Sequence, residues 1–213
     1  MRVSAIILRD LRRAWTGGGL LWPVAFFLLV ATLFPFAVGP DAALIGRIGG
    51  GVIWAAALLA ALLPVERLVA PDVEAGVIDQ YAVRGMPLAL VAFAKTVAHW
   101  LGFAPPLMLA AVIAAGLFDL PAATLLRVEA GLLVGTPGLA ALAVATSALV
   151  TGLRGGGGVA GLVMLPLAIP LLIFGAGSLD TGVGALKLLG AVSLLLTAGA
   201  PWIAAAAIRA GMD

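Results

Sequence analysis

The sequence predicts an all-α integral membrane protein with six transmembrane helices. The first observation is composition: of 213 residues, 63% are hydrophobic and only 10% are charged, whereas soluble domains are typically about 25% charged. The second is that six apolar segments, separated by polar breaks, are long enough to cross a bilayer. The third is that no segment alternates polar and apolar residues as strands do. We therefore expect one transmembrane domain over residues 1–213.

Residues 2–15 are expected to form an amphipathic elbow helix in the headgroup layer. Its apolar positions recur every four residues: Val3, Ile7, Leu11 and Trp15. The basic residues expected on the opposite face are Arg2, Arg9, Arg12 and Arg13. Such helices bury an apolar face at the interface and place their basic groups on anionic lipid. The alternative is a basic tail that only sets the topology.

Six spans are expected to be helices, because only helices satisfy every backbone polar group in lipid at this length. Their expected bounds are about 20–38, 48–64, 92–118, 128–150, 158–178 and 185–208. The first is too long for the apolar core of a signal peptide and is interpreted as an uncleaved span. Eight of the 13 prolines fall in the interior of these spans, which predicts kinked helices.

Basic residues predict the orientation, because cytoplasmic loops of membrane proteins carry an excess of Lys and Arg. With the N-terminus in the cytoplasm, nine of the 12 basic residues lie on the cytoplasmic side: Arg2, Arg9, Arg12, Arg13, Arg67, Arg84, Lys95, Arg154 and Arg209. The three on the outer side are Arg47, Arg127 and Lys187. We therefore expect both termini to be cytoplasmic.

A charged, amphipathic segment interrupts the apolar sequence between spans 2 and 3, at about residues 66–84. Five of the 12 basic and 10 acidic residues fall within its first 15 positions, residues 66–80, namely Glu66, Arg67, Asp72, Glu74 and Asp79. Pro71 and Asp72 indicate a helix start. The stripe expected to rest on the bundle is Val69, Val73, Val77 and Tyr81. Asp72 and Asp79 would then face the cytoplasm. Such a helix suits docking onto a cytosolic partner, and an ordinary solvated loop is the alternative.

Sequence motifs for catalysis are missing. There is no Walker motif, no HExxH, no GxSxG and no cysteine. We therefore expect no enzyme activity, no nucleotide site in this chain and no metal site, and the net charge of +2 is too small to indicate nucleic-acid binding. His99, the single histidine, is a weak candidate for binding haem iron. The favoured interpretation is a hydrogen-bonded histidine near the membrane interface.

Several stretches together resemble the cytochrome c maturation B family, the membrane subunit of the haem exporter. They are RDLRRAW (9–15), FFLLVATLFPFAVGP (26–40), VERLVAPDVEAGVIDQYAVRGMPL (65–88), KTVAHW (95–100), GTPGL (135–139) and LPLAIPLLIFG (165–175). The resemblance implies a six-span subunit of the bacterial inner membrane, similar to type-2 ABC exporters. It implies a separate cytosolic ATPase, maturation protein A, through which ATP is used. It also implies the C and D membrane subunits as partners and the haem chaperone E as an indirect one. No cofactor is expected to bind this chain directly, and haem is a candidate ligand only.

The resemblance also assigns roles to residues. It assigns to the ATPase-coupling region Glu66, Arg67, Asp72, Glu74, Gly76, Asp79 and Gln80. It assigns to the interfacial elbow Arg9, Arg12, Arg13 and Trp15. The expected function is to couple ATP hydrolysis to haem delivery or to release of the haem-loaded periplasmic chaperone. The alternatives are a type-2 ABC permease for an unrelated lipid or drug, and a non-transporting subunit that scaffolds haem-handling partners.

Overall fold

The computed structural model of the chain confirms the predicted all-α membrane fold. It describes residues 3–16, 19, 21–153 and 156–211. Within these ranges there is no β-strand, and six helices are long and apolar enough to cross a membrane. The expectations for the elbow, the first span and the topology included Arg2, Leu20 and Arg154, which lie outside the described residues.

Along the described residues the elements follow one another with short connections. They are α1 (Val3–Thr16), α2 (Leu21–Val38), α3 (Ala42–Leu62), the 3₁₀ turn Val65–Arg67, α4 (Ala70–Glu74), α5 (Val77–Val83), α6 (Leu88–Leu117), α7 (Ala122–Val150), α8 (Gly156–Thr181) and α9 (Val183–Ala210). The candidate spans contain α2, α3, α6, α7, α8 and α9. Helix α3 begins well before the apolar run that predicted it, because Asp41 caps it by accepting a hydrogen bond of 3.0 Å from the Leu44 N–H.

Helix α7 is the centre of the bundle and packs against α3, α6, α8 and α9. Of its most apolar stretch 78% is buried, against 17% for the peripheral α2. Helices α7 and α9 approach closely where Gly138 faces Ser193. A Cβ atom on Gly138 would lie 2.9 Å from the Ser193 Cα, and the Gly138 N–H donates a hydrogen bond of 2.9 Å to the Ser193 hydroxyl. Small residues thus bring these two backbones together, as is usual in membrane bundles.

The indole of Trp54 on α3 lies in a socket formed by glycines of two other helices. A Cβ atom would lie 2.6 Å from the indole at Gly135 of α7 and 2.5 Å from it at Gly175 of α8. Real contacts of this kind essentially never fall below 3.0 Å. The absence of side chains at both glycines therefore lets the large ring rest on the two backbones and hold α3, α7 and α8 together.

One end of the bundle carries α1, α4 and α5. A single apolar cluster there contains buried residues from α1, α5, α6, α7 and α9, namely Ile6, Ile78, Tyr81, Leu88, Val91, Val144, Ala148, Ala204 and Ile208. Ile6 belongs to the first helix and Ile208 to the last. Both ends of the described chain therefore lie on the same side of the bundle.

Candidate functional site

The polar segment between α3 and α6 folds into two short helices. Helix α4 ends at Glu74 and α5 begins at Val77. Between them Gly76 has a φ of 64°. Glycine takes up this left-handed conformation without the steric penalty that other residues meet. Gly76 therefore breaks the single helix that the sequence predicted, and it determines the angle between α4 and α5.

The apolar stripe of this segment packs against the bundle as predicted. Val69 and Tyr81 are buried, and Val73 and Val77 are partly buried in the same cluster. The Val69 N–H also donates a buried hydrogen bond of 3.0 Å to the hydroxyl of Ser147 on α7. Packing and this hydrogen bond together fix the inner face of the segment to the bundle.

Asp72 turns into the protein, so the prediction that it faces outward is wrong. Its side chain is only 3% exposed, and its carboxylate accepts hydrogen bonds from Lys95 of α6 and from Arg9 and Arg13 of α1. The prediction aligned Asp72 with Asp79 on one continuous helix. Because the chain bends at Gly76, the two carboxylates point in different directions.

Lys95 is a functional candidate that the sequence interpretation missed. Its side chain is 5% exposed, and its ammonium group donates to Asp72, to the Asp10 carboxylate at 3.1 Å and to the Leu68 carbonyl at 3.0 Å. An ammonium group has three N–H donors, so each has an acceptor here. The sequence does contain a signal for it, namely a lysine inside a long apolar run. A charge that is buried in such a run requires a partner that can pair with it.

Arg9 joins α1 to both short helices. It donates to Asp10 at 2.7 Å and to Asp72, and its guanidinium lies 5.8 Å from the centre of the Tyr81 ring. Burial disfavours the charged form, but the carboxylates of Asp10 and Asp72 outweigh it and raise the pKa of Arg9. The guanidinium therefore stays charged beside Asp72.

The sequence predicted that the arginines of α1 all lie on one face towards the headgroups, and this prediction is wrong. Arg9 and Arg13 both reach Asp72, with a nitrogen to oxygen distance of 3.0 Å for Arg13. Ile6 is the buried residue of α1, and α1 packs against α6. The side of α1 that carries Ile6 therefore faces the bundle. Arg12 and Trp15 are exposed, and their contact with a membrane interface stays a prediction.

Five charged side chains thus form an ion cluster, defined here as Arg9, Asp10, Arg13, Asp72 and Lys95. Three cations and two carboxylates give the ion cluster a net charge of +1. Such buried ion pairs contribute little net stability, because desolvation opposes them, but removing one partner is costly. The ion cluster therefore holds α1, α4 and α6 in one relative arrangement.

The other charged and polar residues predicted for coupling lie at the surface. Glu66, Arg67, Glu74, Asp79 and Gln80 are all exposed. We call the three carboxylates among them, Glu66, Glu74 and Asp79, the acidic face. The segment is thus two-sided, because it presents the acidic face to the outside and places Asp72 in the ion cluster inside. A surface of this charge suits a partner with basic groups.

His99 lies one turn after Lys95 on α6. Its ring stacks on Phe103 with 5.6 Å between the ring centroids. Its Nε2 atom is buried and has no hydrogen-bond partner among the described residues. At this nitrogen the hydrogen bond that the sequence interpretation favoured is therefore missing.

Comparison with known proteins decides the family. The family model described as CcmB protein matches residues 1–211. The chain belongs to the CcmB family. It is 41% identical to heme exporter protein B of Rhodobacter capsulatus over 217 residues, covering 99% of this chain and 100% of that protein. It is 42% identical to heme exporter protein B of Bradyrhizobium diazoefficiens over 219 residues, with 99% of each covered. For heme exporter protein B of Escherichia coli K12 the identity is 38% over 193 residues, with 88% of each covered.

Membership of the CcmB family confirms the resemblance carried by the sequence motifs. The chain is a multi-pass membrane protein, and its six apolar helices fit a membrane transporter subunit. The ion cluster and the acidic face both lie within the residues matched to the CcmB family. They are therefore built from a part of the chain that the family model covers.

Proposed function

We propose that this CcmB-family chain is the membrane subunit of a haem-export and cytochrome c maturation system. In this role it couples ATP hydrolysis by a separate cytosolic ATPase to haem delivery or to release of the haem-loaded periplasmic chaperone. The relatives named heme exporter protein B support haem as the cargo. The sequence lacks a Walker motif, which supports a separate chain as the ATPase.

The observation that carries the coupling proposal is the two-sided construction of residues 66–84. The acidic face is exposed, whereas Asp72 of the same segment is 3% exposed and paired with α1 and α6. A partner that binds the acidic face therefore acts on a segment whose inner side is tied to two other helices. Movement of α4 would carry α1 and α6 with it, or would break the ion cluster.

A bound ATPase can shift the bundle only through contacts that differ between two arrangements of the bundle. The ion cluster supplies such contacts. Buried charges form favourable pairs in a narrow range of geometries, and they become costly when one partner is withdrawn. We infer that nucleotide-dependent movement of the ATPase acts on α4, and that the ion cluster makes the response of α1 and α6 all-or-none.

The proposed partners and location follow from the same role. They are the maturation A ATPase on the cytoplasmic side, the maturation C and D subunits in the membrane, and the haem chaperone E on the periplasmic side. The excess of basic residues expected on the cytoplasmic side supports an inner-membrane protein with both termini in the cytoplasm. The acidic face then lies on the side where the ATPase is found.

Reconstitution of the chain with its ATPase and membrane partners tests this function. We expect the ATPase to co-purify with the chain, and its hydrolysis rate in proteoliposomes to depend on the chain. Cytochrome c maturation should require hydrolysis. Maturation that persists with a hydrolysis-deficient ATPase would instead identify the chain as a scaffold. Normal maturation in cells that lack the chain would favour a permease for an unrelated lipid or drug.

A further inference from the structure

A cavity of about 540 Å³ lies beside the ion cluster, between α1, the start of α2, the 3₁₀ turn and α6. This volume falls within the range of about 300–1,000 Å³ typical of small-molecule sites. One wall carries the charged side chains of Asp10, Arg13, Arg67 and Lys95. The rest of the lining is mostly apolar and includes Trp22, Leu63 and Phe103. The cavity is therefore amphipathic.

The charged wall has more positive than negative charge. The ion cluster, which contributes Arg13, Lys95 and Asp10 to the lining, has three cations for two carboxylates. Arg67 adds a further cation, and it forms no ion pair with a carboxylate among the described residues. Arg13 has a side chain that is 62% exposed, although it contacts Asp72. Together they give an excess of two positive charges, and an anionic group between Arg13 and Arg67 would offset part of it.

The apolar wall lies where lipid can reach it. Trp22 is 67% exposed in the first turn of the peripheral helix α2, and Leu63 is 40% exposed just after the end of α3. Tryptophan is enriched at the headgroup level of membranes. The cavity thus lies near the ends of two spans, where headgroups and the first part of acyl chains are found. The buried Nε2 of His99, which lines the cavity without a hydrogen-bond partner among the described residues, adds one polar group inside it.

We propose that this cavity binds an anionic phospholipid of the adjacent leaflet. Its phosphate would lie between Arg13 and Arg67, and its acyl chains would pass along Trp22 and Phe103. Basic pockets between transmembrane helices on the cytoplasmic side are suited to acidic headgroups. A lipid in this position contacts α1, the 3₁₀ turn and α6 at once. It stabilises the arrangement that the ion cluster holds, and it acts independently of the cargo.

Native mass spectrometry of the purified full chain in detergent tests the proposal. Phosphatidylglycerol, phosphatidylcholine and water-soluble glycerol phosphate are titrated in parallel. We expect phosphatidylglycerol to bind more tightly than both other ligands, because only it combines the charge with the acyl chains. Arg67→Gln should weaken phosphatidylglycerol binding by about tenfold, since one charge-assisted contact is lost. Arg67→Lys should restore most of it.

Arg47→Gln is the matched control, because Arg47 is an exposed arginine of α3 that does not line the cavity. This variant should bind phosphatidylglycerol as the unaltered chain does. Equal affinity for phosphatidylglycerol and phosphatidylcholine, or equal losses in the Arg67 and Arg47 variants, would overturn the proposal. So would equal binding of glycerol phosphate, which would indicate a site for free phosphate. Haem that displaces the lipid at lower concentration, with loss of haem binding in His99→Ala, would assign the cavity to the cargo instead.

Discussion

Lys95 of α6 and Asp72 of α4 form an ion pair in which the two side chains are only 5% and 3% exposed. The same carboxylate also binds Arg9 and Arg13 of α1. Three helices that are distant in the sequence therefore meet at one buried carboxylate. This explains why a chain with few charges keeps an acidic residue in this segment and a lysine inside a long apolar helix.

Asp72→Asn should destabilise the chain and impair cytochrome c maturation. Among the described residues, the change leaves Lys95 with Asp10 as its one carboxylate partner, and it removes the charge that Arg9 and Arg13 share. Breaking a buried ion pair on one side costs about 3–5 kcal/mol, which should lower the thermal unfolding midpoint in detergent. Asp79→Asn is the control, because that carboxylate is exposed. Equal midpoints for the two variants would show that the ion cluster does not hold the helices together.

Gly175→Ala should disturb the packing of Trp54 and lower the amount of folded protein. The new Cβ atom would lie 2.5 Å from the indole, so the ring or α8 must move. Overpacking of this kind typically costs about 1–3 kcal/mol. Gly161→Ala of the same helix is the control, because nothing lies within 4 Å of a Cβ there. The measurement is the monodisperse fraction after purification. Equal monodisperse fractions for the two alanine variants would show that the packing of Trp54 against Gly175 does not stabilise the protein.

His99→Ala should retain haem delivery. His99 is the single histidine of the chain, so the chain offers no second imidazole as a haem ligand. Its ring packs on Phe103, which makes a packing role sufficient to explain its position. The measurement is the yield of holocytochrome c at matched membrane abundance of the chain. Loss of holocytochrome c at normal abundance would contradict this prediction and make His99 a haem-handling residue.

Reporter fusions should show the proposed topology. A fusion at Gly85, which follows α5, should report the cytoplasm, and a fusion at Asp180, at the end of α8, should report the periplasm. The excess of basic residues on the expected cytoplasmic side is the physical reason. Alkaline phosphatase activity at Asp180 with none at Gly85 is the expected pattern. The reverse pattern would show that the chain has the opposite orientation in the membrane, with the acidic face on the side away from a cytosolic ATPase.

The spans could be predicted from the sequence because they depend on local properties, namely apolar length and the polar breaks between segments. The inward position of Asp72 could not be predicted in this way. It depends on the bend at Gly76 and on contacts with α1 and α6, and the heptad spacing to Asp79 assumed an unbroken helix. The Trp54 socket likewise joins α3 to glycines that lie far along the chain. Lys95 was missed although a signal was present, because a lysine inside an apolar run indicates a buried partner; the run does not identify that partner.

The most direct test of the central claim is site-specific crosslinking from the acidic face to the ATPase. The chain has no cysteine, so Asp79→Cys provides a single attachment point for a photoreactive maleimide, and the exposed Arg47→Cys on α3, proposed to lie on the outer side, provides the matched control. In membranes that contain the whole complex, we predict a crosslink to the ATPase from position 79 and none from position 47. Glu74→Lys in the Asp79→Cys background should weaken that crosslink, because it introduces a repulsive charge on the docking face. An ATPase that co-purifies with the complex but crosslinks from position 47 and not from position 79 would contradict the claim.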